Sequence, residues 1–387
     1  MRYIRRLVDQ QLIAAATQFP AVLLTGPRRS GKTTLLRHAF PHATYHLLED
    51  LDVIARVRQD PRGFVEQAGA PAILDEIQNA PELFNYIRTC IDSAPEAKGR
   101  WLLTGSQDAA LMRGVSESMA GRVALFQLLP LSVRESPDVS LALGGFPEVV
   151  TQPEAAQTWF RSYVQAYLER DVRAVSAVSD LATFRRFLAL LATRTGQLLS
   201  RTDMAAPLGV SVPTISAWVS VLEVTGGIHL VHPFYENFGK RLVKSPKVYL
   251  VDSGLACYLL GLHGGKAVAG SAFAGPLYEG FVAAEILKWQ LADNRRPELY
   301  CFRDRPGLEV DFVVPLGERR LALIETKASA TVSPSDANAI LRLSSSIKGH
   351  DLQRYVVYRP TRPGSTNVLA PGVSAVDVAG LIDGLSA

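Results

Sequence analysis

The chain has 387 residues, of which 48% are hydrophobic and 20% are charged, and its formal net charge is +4. This length predicts two or three domains, each large enough to bury a core. The small net charge is compatible with nucleic-acid binding but does not argue for it, so any basic footprint must be local. No apolar stretch reaches the ~18 residues of a membrane span, and no signal peptide is predicted, so we expect a cytoplasmic protein without membrane contact. The three cysteines are widely separated and predict neither a zinc site nor a disulfide framework: Cys90, Cys257 and Cys301.

A phosphate-binding loop follows the first predicted strand. Residues 26–33 read Gly-Pro-Arg-Arg-Ser-Gly-Lys-Thr, between the apolar run 21–24 and a helical pattern from residue 34. In such a loop the backbone N–H groups surround phosphate oxygens, the lysine reaches the β- and γ-phosphates and the final hydroxyl binds Mg²⁺. The sequence therefore predicts that the chain binds a nucleoside triphosphate. The residues expected at the phosphates are Gly26, Pro27, Arg28, Arg29, Ser30, Gly31, Lys32, Thr33 and Thr34.

Two carboxylates at the end of a later strand indicate hydrolysis of the bound nucleotide. The apolar run 71–74 leads directly into Asp75 and Glu76. We expect Asp75, with Thr33, to hold Mg²⁺ and Glu76 to orient and polarise the attacking water. A further apolar strand, 101–104, leads into Ser106 and Gln107, which are candidate contacts to the γ-phosphate. From the spacing alone, a serine-rich turn explains those last two residues equally well.

The first 145 residues alternate strand and helix patterns, which is typical of a parallel sheet covered by helices. A Gly-Gly-Phe-Pro segment at 144–147 marks a boundary, after which residues 155–200 follow helical periodicity. The expected class is thus α/β, with an N-terminal P-loop sheet. The strands of that sheet are expected at 21–25, 43–48, 71–75, 101–105 and 123–127.

Residues 200–250 predict a winged helix-turn-helix. A capped helix begins near Ser200, residues 208–211 form a turn, and a second helix with Ser211 as its N-cap follows. Strands at 228–231 and 247–250 would form the wing. Such a module binds DNA or docks a protein, and both alternatives stay open here. Basic residues of the wing favour nucleic acid slightly: Lys240, Arg241, Lys244 and Lys247.

A second constellation lies near the C-terminal end. Strands at 309–314 and 321–327 predict a hairpin centred near Glu318, with Asp311 opposite Glu325 and Lys327 on the same face. Glu279, on a long helix, could reach the same place. A carboxylate pair can chelate Mg²⁺ or Mn²⁺, and a nearby lysine can activate water. The alternative is a cross-strand salt-bridge pattern on a solvated sheet face.

Several motifs together resemble a known family. The phosphate loop, the segments 74–78, 102–106 and 119–123, and the constellation above are similar to AAA-superfamily ATPases fused to a C-terminal domain of unknown function. The resemblance covers nearly the whole chain. It implies that Arg122 contacts the γ-phosphate as an arginine finger, in its own subunit or across an interface. The C-terminal part resembles the PD-(D/E)xK restriction-endonuclease-like core, which implies catalytic roles for Asp311, Glu325 and Lys327 and metal contacts from Glu279, Asp311 and Glu325.

The expected organisation is an ATPase domain (1–145), a helical and winged-helix segment (146–262) and a nuclease-like domain (263–387). We expect ATP hydrolysis with Mg²⁺, coupled to conformational change on DNA, and a metal-dependent nuclease that takes Mn²⁺ or Mg²⁺. One alternative is an ATP-dependent regulatory switch that docks a protein partner through the winged helix. Another is a toxin-like nuclease that is restrained by the ATPase. Each alternative is compatible with an oligomer.

Overall fold

The computed structural model describes residues 3–106, 115, 117–168, 181–234, 245–361, 364 and 366–387. Several residues singled out above therefore lie outside the described part of the chain, namely Gln107, Lys240, Arg241 and Lys244. Within the described part, no single helix combines the length and apolar character of a membrane span. One bent pair, Arg201–Leu208 with Val212–Val224, meets that criterion by length and composition when its two helices are taken together.

A parallel sheet with the order β2-β3-β4-β1-β5 forms the N-terminal part. All five strands lie within one residue of their expected bounds, so the predicted α/β class is confirmed. The strands are β1 (Ala21–Gly26), β2 (Thr44–Leu47), β3 (Ala72–Asp75), β4 (Trp101–Ser106) and β5 (Val123–Gln127). The helices are α1 (Asp9–Gln18), α2 (Lys32–Ala39), α3 (Leu51–Gln59), α4 (Pro61–Gln67) and α5 (Leu83–Ser93).

The register of this sheet brings the expected nucleotide-site residues to one edge. Gly26 pairs with Ser106 at the carboxyl ends of β1 and β4, and β3 ends beside them at Asp75. Ligands of open α/β sheets bind at this edge, where the loops that follow the strands converge. The sheet is buried on both faces by separate apolar clusters.

The middle part is mainly helical. Its helices are α6 (Pro147–Thr151), α7 (Ala156–Tyr163), α8 (Leu181–Thr193), α9 (Arg201–Leu208), α10 (Val212–Val224), α11 (Ser253–Leu259) and α12 (Gly264–Ala269), with a π-helix at Val164–Leu168. Ser200 and Ser211 cap α9 and α10 as expected, through bonds from Asp203 N and Thr214 N. The axes of α9 and α10 turn by 112°, the angle of a helix-turn-helix. An antiparallel pair follows, formed by β6 (Ile228–Pro233) and β7 (Lys247–Leu250).

The C-terminal part builds on the same sheet as that antiparallel pair, with the order β12-β13-β11-β10-β9-β8-β6-β7. Its strands are β8 (Tyr300–Arg303), β9 (Glu309–Gly317), β10 (Arg320–Lys327), β11 (Asp351–Tyr358), β12 (Asn367–Ala370) and β13 (Val373–Val376). Its helices are α13 (Ala274–Ala292), α14 (Asn338–Ser344) and α15 (Val378–Ser386). The hairpin turn is shorter than expected, because β9 continues through Pro315 to Gly317 and leaves only Glu318 and Arg319 between the strands.

One apolar cluster runs through both the middle and the C-terminal parts. It extends from Leu129 to Leu385 and includes residues of α8, α10, α13 and the large sheet. β6 also joins that sheet directly, since His232 and Pro233 pair with Tyr300 and Cys301 of β8. The segments on either side of residue 262 therefore share a core and a sheet.

Candidate functional site

The phosphate loop contains two glycines whose φ angles are positive, a backbone conformation that other residues rarely adopt. Gly26 has φ 142° and Gly31 has φ 96°, and a Cβ on Gly26 would lie 2.2 Å from the carbonyl oxygen of Leu128. Gly31 leads directly into α2, so the positive end of the helix faces the loop. The buried Lys32 Nζ donates to the carbonyl oxygens of Gly26 and Pro27 at 3.1 and 2.9 Å. The ammonium group thus lies inside the loop that is expected to surround the phosphates.

Thr33 and Asp75 meet at the start of α2. The Thr33 hydroxyl lies 3.0 and 2.9 Å from the two carboxylate oxygens of Asp75. Tyr45 OH donates to Asp75 Oδ2 at 2.7 Å, and the Thr104 hydroxyl donates to Oδ1. Burial and the bond to Asp75 raise the pKa of Tyr45 above its usual value, so the phenol stays a donor. A hydroxyl beside a carboxylate is the donor set that Mg²⁺ takes in P-loop proteins, so these residues fit the metal.

Glu76 points its carboxylate to the same edge from a strained backbone. Its φ and ψ are 59° and 50°, and its N–H donates to the Thr104 hydroxyl oxygen at 3.1 Å. The carboxylate accepts from Ser106 Oγ at 3.4 Å and from the Gln78 amide. A left-handed glutamate is uncommon and is found where surrounding contacts fix it, often at functional sites. The ends of β3 and β4 thus bring Glu76 and Ser106 together.

A cavity of about 450 Å³ opens beside these groups. Its volume falls in the range of nucleotide and cofactor sites. Glu148 of α6 borders the cavity and lies 3.5 Å from the Arg29 guanidinium, so the middle part of the chain closes one side. The lining includes Tyr3, Ile4, Arg6, Arg28, Arg29, Gly31, Lys32, Thr33, Thr34, Asp75, Glu76, Pro147, Glu148 and Thr151.

Arg6 supports the phosphate loop from behind and was not identified from the sequence. Its buried guanidinium donates to the carbonyl oxygens of Ser30 and Leu129 at 2.8 and 2.6 Å and pairs with Glu135 at 3.0 Å. The segment that carries Leu129 and Glu135 is held from its other side by α13. Glu285 accepts from Val133 N at 2.9 Å, and Lys288 donates to Leu131 O at 2.8 Å. The Arg6–Glu135 ion pair and these buried hydrogen bonds therefore connect the phosphate loop to α13.

Arg122 lies at the opposite edge of the sheet from the loop in its own chain. It precedes β5, its carbonyl accepts from Ala21 N, and its guanidinium binds Asp92 at 2.7 and 3.0 Å. Ala21 and Gly26 are the two ends of β1, which separates these edges by roughly 16 Å at about 3.3 Å per residue. A contact between Arg122 and the cavity of its own chain is therefore excluded.

The hairpin register predicted for the C-terminal constellation is the one observed. Ile324 pairs with Phe312, which puts Glu325 next to Asp311. Thr326 donates to Asp311 Oδ2 through its N–H and its hydroxyl, both at 2.8 Å, and Lys327 Nζ lies 2.9 Å from Glu325 Oε1. The hairpin therefore brings together Asp311, Glu325 and Lys327.

Lys247 changes the interpretation of this constellation. Its side chain is 2% exposed, and Nζ lies 2.8 Å from Glu279, 2.6 Å from Glu309 and 3.8 Å from Asp311. Among the residues that the structure describes, no group of three or more His, Cys, Asp or Glu side chains could hold a metal ion. A lysine ammonium therefore lies between Glu279 and Asp311, two of the three expected metal ligands. Lys247 is not available to nucleic acid.

Burial sets the protonation of this cluster. It raises the pKa of Glu279 and of Glu325 to about 7 each, and the charge of Asp311 adds to both effects. Burial alone would lower the pKa of Lys247, but the neighbouring Glu279, Asp311 and Glu309 outweigh it and raise that pKa. The lysine thus stays charged among its carboxylates.

Comparisons with known proteins divide the chain into three matches. Residues 18–136 match an AAA domain, residues 135–266 match a domain of unknown function, DUF8612, and residues 274–371 match another, DUF4143. Two mycobacterial proteins are similar over nearly the whole chain: uncharacterized protein Mb2031c of Mycobacterium bovis and uncharacterized protein Rv2008c of Mycobacterium tuberculosis. Each is 32% identical over 396 aligned positions, which cover 99% of this chain and 87% of the relative.

Among solved structures, the walker-type ATPase paby2304 of Pyrococcus abyssi is partly similar. It is 17% identical, with a TM-score of 0.42, and the superposition covers 65% of this chain and 94% of that one. A STAND protein from Pyrococcus horikoshii with a tetratricopeptide-repeat sensor is 15% identical, with a TM-score of 0.25 over 76% of this chain and 48% of that one.

Proposed function

The chain belongs to the family of the mycobacterial proteins Mb2031c and Rv2008c and carries an AAA domain in its N-terminal part, and from this premise we propose that it is a Mg²⁺-dependent ATPase. One observation carries the proposal. Thr33, Asp75 and Glu76 border a single cavity that also contains the phosphate loop. A hydroxyl and a carboxylate for the metal, and a second carboxylate for water, are the groups that nucleotide hydrolysis needs.

In this proposal each residue has a separate task. The ammonium of Lys32 exchanges the carbonyl oxygens of Gly26 and Pro27 for phosphate oxygens when ATP enters. Thr33 and Asp75 hold Mg²⁺, which neutralises phosphate charge when it is bound. Glu76, fixed through Thr104 and Ser106, orients the attacking water and accepts its proton.

We propose further that Arg122 acts across a subunit interface. A guanidinium that supplies positive charge to the transferring phosphate strongly accelerates hydrolysis in P-loop enzymes. Arg122 cannot do so within its own chain, but its side chain is about a third exposed, and its guanidinium donates to Asp92 and to the carbonyl oxygen of Ala120. An oligomer in which this edge meets a neighbour's cavity would complete the site.

Two candidate targets follow from the middle part. The 112° helix-turn-helix favours DNA, but α10 contains no lysine or arginine, so we propose that the basic residues Lys240, Arg241 and Lys244 make the phosphate contacts. Docking of a protein partner through the same helix-turn-helix is the second candidate. Metal-dependent cleavage is not part of the proposal, because Lys247 lies where the carboxylates would need a cation.

Steady-state ATP turnover tests these proposals. We expect turnover with Mg²⁺ and none in EDTA. Stimulation by single- or double-stranded DNA would support the DNA target, whereas turnover that DNA leaves unchanged would favour the protein-docking role. The absence of any turnover under all of these conditions would contradict the ATPase proposal itself.

A further inference from the structure

The charge balance of the C-terminal cluster depends on one buried lysine. Four carboxylates lie there, on α13, β9 and β10, and the two ammonium groups beside them come from β7 and β10. Lys247 contacts two of the carboxylates within 2.8 Å and lies 3.8 Å from a third, whereas Lys327 contacts Glu325. The cluster consists of Glu279, Glu309, Asp311, Glu325, Lys247 and Lys327.

We infer that Lys247 is a built-in cation that excludes Mg²⁺ and Mn²⁺ from this cluster. A divalent ion between Glu279 and Asp311 would need oxygens at about 2.0–2.6 Å. Lys247 Nζ already lies 2.8 Å from Glu279 Oε1 and 3.8 Å from Asp311 Oδ1, so the ion and the ammonium would compete for the same oxygens. This inference is independent of the proposed ATPase function.

The lysine is held in place by its backbone as well as by its charge. Lys247 begins β7, where it pairs with Val231 of β6, and it also forms a bridge with Leu198. Glu279 has a second tie, because the hydroxyl of Tyr249, two residues further along β7, donates to the same oxygen. One strand thus supplies both donors that hold Glu279.

Asp311 and Glu325 offer few free oxygens to a cation that cannot use Glu279. Asp311 Oδ2 is occupied by both donors of Thr326, and Glu325 Oε1 by Lys327. Among the residues that the structure describes, the buried Glu325 Oε2 has no hydrogen-bond partner. It and Asp311 Oδ1, which Lys247 approaches to 3.8 Å, are the oxygens left for a cation. A divalent ion bound to these two oxygens would need most of its remaining ligands from water, and both side chains are largely shielded from solvent.

Binding of Mn²⁺ to nucleotide-free protein tests the inference, measured by the loss of the free-ion electron paramagnetic resonance signal. All samples carry Lys32→Ala, which removes nucleotide from the N-terminal site. We expect no Mn²⁺ bound at this cluster by the parent protein, and one ion per chain by Lys247→Met. The gained ion should be lost again when Asp311→Asn is added. Lys327→Met is the matched control, a lysine of the same cluster whose removal should gain no ion.

Two results would overturn the inference. The first is Mn²⁺ binding by the parent protein that disappears in Asp311→Asn alone. The second is a folded Lys247→Met protein that gains no ion. If Lys247→Met does not fold, the comparison of the parent with Asp311→Asn decides: equal Mn²⁺ titrations support exclusion, and a site lost with Asp311 overturns it.

Discussion

The hydroxyl of Thr104 lies between the two acidic residues of the nucleotide cavity, donating to the carboxylate of Asp75 and accepting the backbone N–H of Glu76 at 3.1 Å. This fully buried side chain thereby couples the orientation of the proposed Mg²⁺ ligand to the left-handed backbone of the proposed base. Both groups must be held closely for hydrolysis, since small misplacements of reacting groups cost large factors in rate.

Thr104→Val should therefore slow ATP turnover by about 10- to 100-fold, because it keeps the shape of the side chain but removes both hydrogen bonds. The affinity for ATP should change little, since Thr104 is not among the residues that line the cavity. Thr104→Ser, which restores the hydroxyl, should regain most of the rate. Equal turnover by Thr104→Val and the parent would show that the bridge does not position the acids.

The sequence predicted those parts of the site that are contiguous motifs at strand ends. The phosphate loop, Asp75 and Glu76 each follow an apolar run, and their convergence follows from the parallel sheet. The C-terminal hairpin register was predictable because side chains alternate with period two, so Asp311 opposite Glu325 follows from the turn position.

Other site residues owe their positions to contacts between distant segments, which no local pattern encodes. Arg6 reaches Leu129 across 123 residues of chain, and Lys247 reaches Glu279 across 32. Lys247 also follows a basic stretch, and its local sequence therefore assigned it to a solvent-facing wing. The contacts of its side chain with α13 and β9 place it in the acidic cluster.

Arg122→Ala should slow turnover by about 10³-fold while ATP binding is kept, because the arginine stabilises charge that develops during phosphoryl transfer. If the arginine acts across an interface, mixing Arg122→Ala with Lys32→Ala should restore activity that neither protein has alone. In mixed oligomers, an intact loop then faces an intact arginine. Steady-state turnover is measured as a function of the mixing ratio. If both variants form oligomers and turnover stays at the level of the single variants at every ratio, action in trans is contradicted.

Replacement of Lys240, Arg241 and Lys244 by alanine should weaken DNA binding. The slope of the logarithm of the binding constant against the logarithm of the salt concentration should become shallower by about 2 to 3, because fewer counterions are released. Fluorescence anisotropy of labelled DNA between low and moderate salt measures the slope. Replacement of Arg303 and Arg305, which lie in another part of the chain, provides a control. An unchanged slope would move the DNA contact elsewhere or favour protein docking.

Acid should destabilise the junction of the middle and C-terminal parts through His229. Burial, with the charge of His232 adding, lowers its pKa from 6.5 to about 4. Between these values the unfolded chain binds a proton that the folded chain does not, so the contribution of His229 to stability falls as the pH drops. Relative to His229→Gln, the parent should lose about 2 kcal/mol between pH 7 and pH 5. The raised pKa values of Glu279 and Glu325 act in the opposite direction but are common to both proteins. Urea titrations of the parent and His229→Gln measure it, and an equal pH dependence in both would contradict the assignment.

The most direct measurement of the central claim compares ATP binding and ATP turnover in Glu76→Gln. The amide keeps the contacts of the side chain with its neighbours but cannot accept a proton from water. We predict that a fluorescent ATP analogue binds with nearly the parent affinity, whereas turnover falls by about 10²–10⁴-fold. Lys32→Ala should lose binding itself, and Glu82→Gln, an exposed acid outside the cavity, should match the parent in both assays. Hydrolysis of ATP by Glu76→Gln at the parent rate would contradict the account.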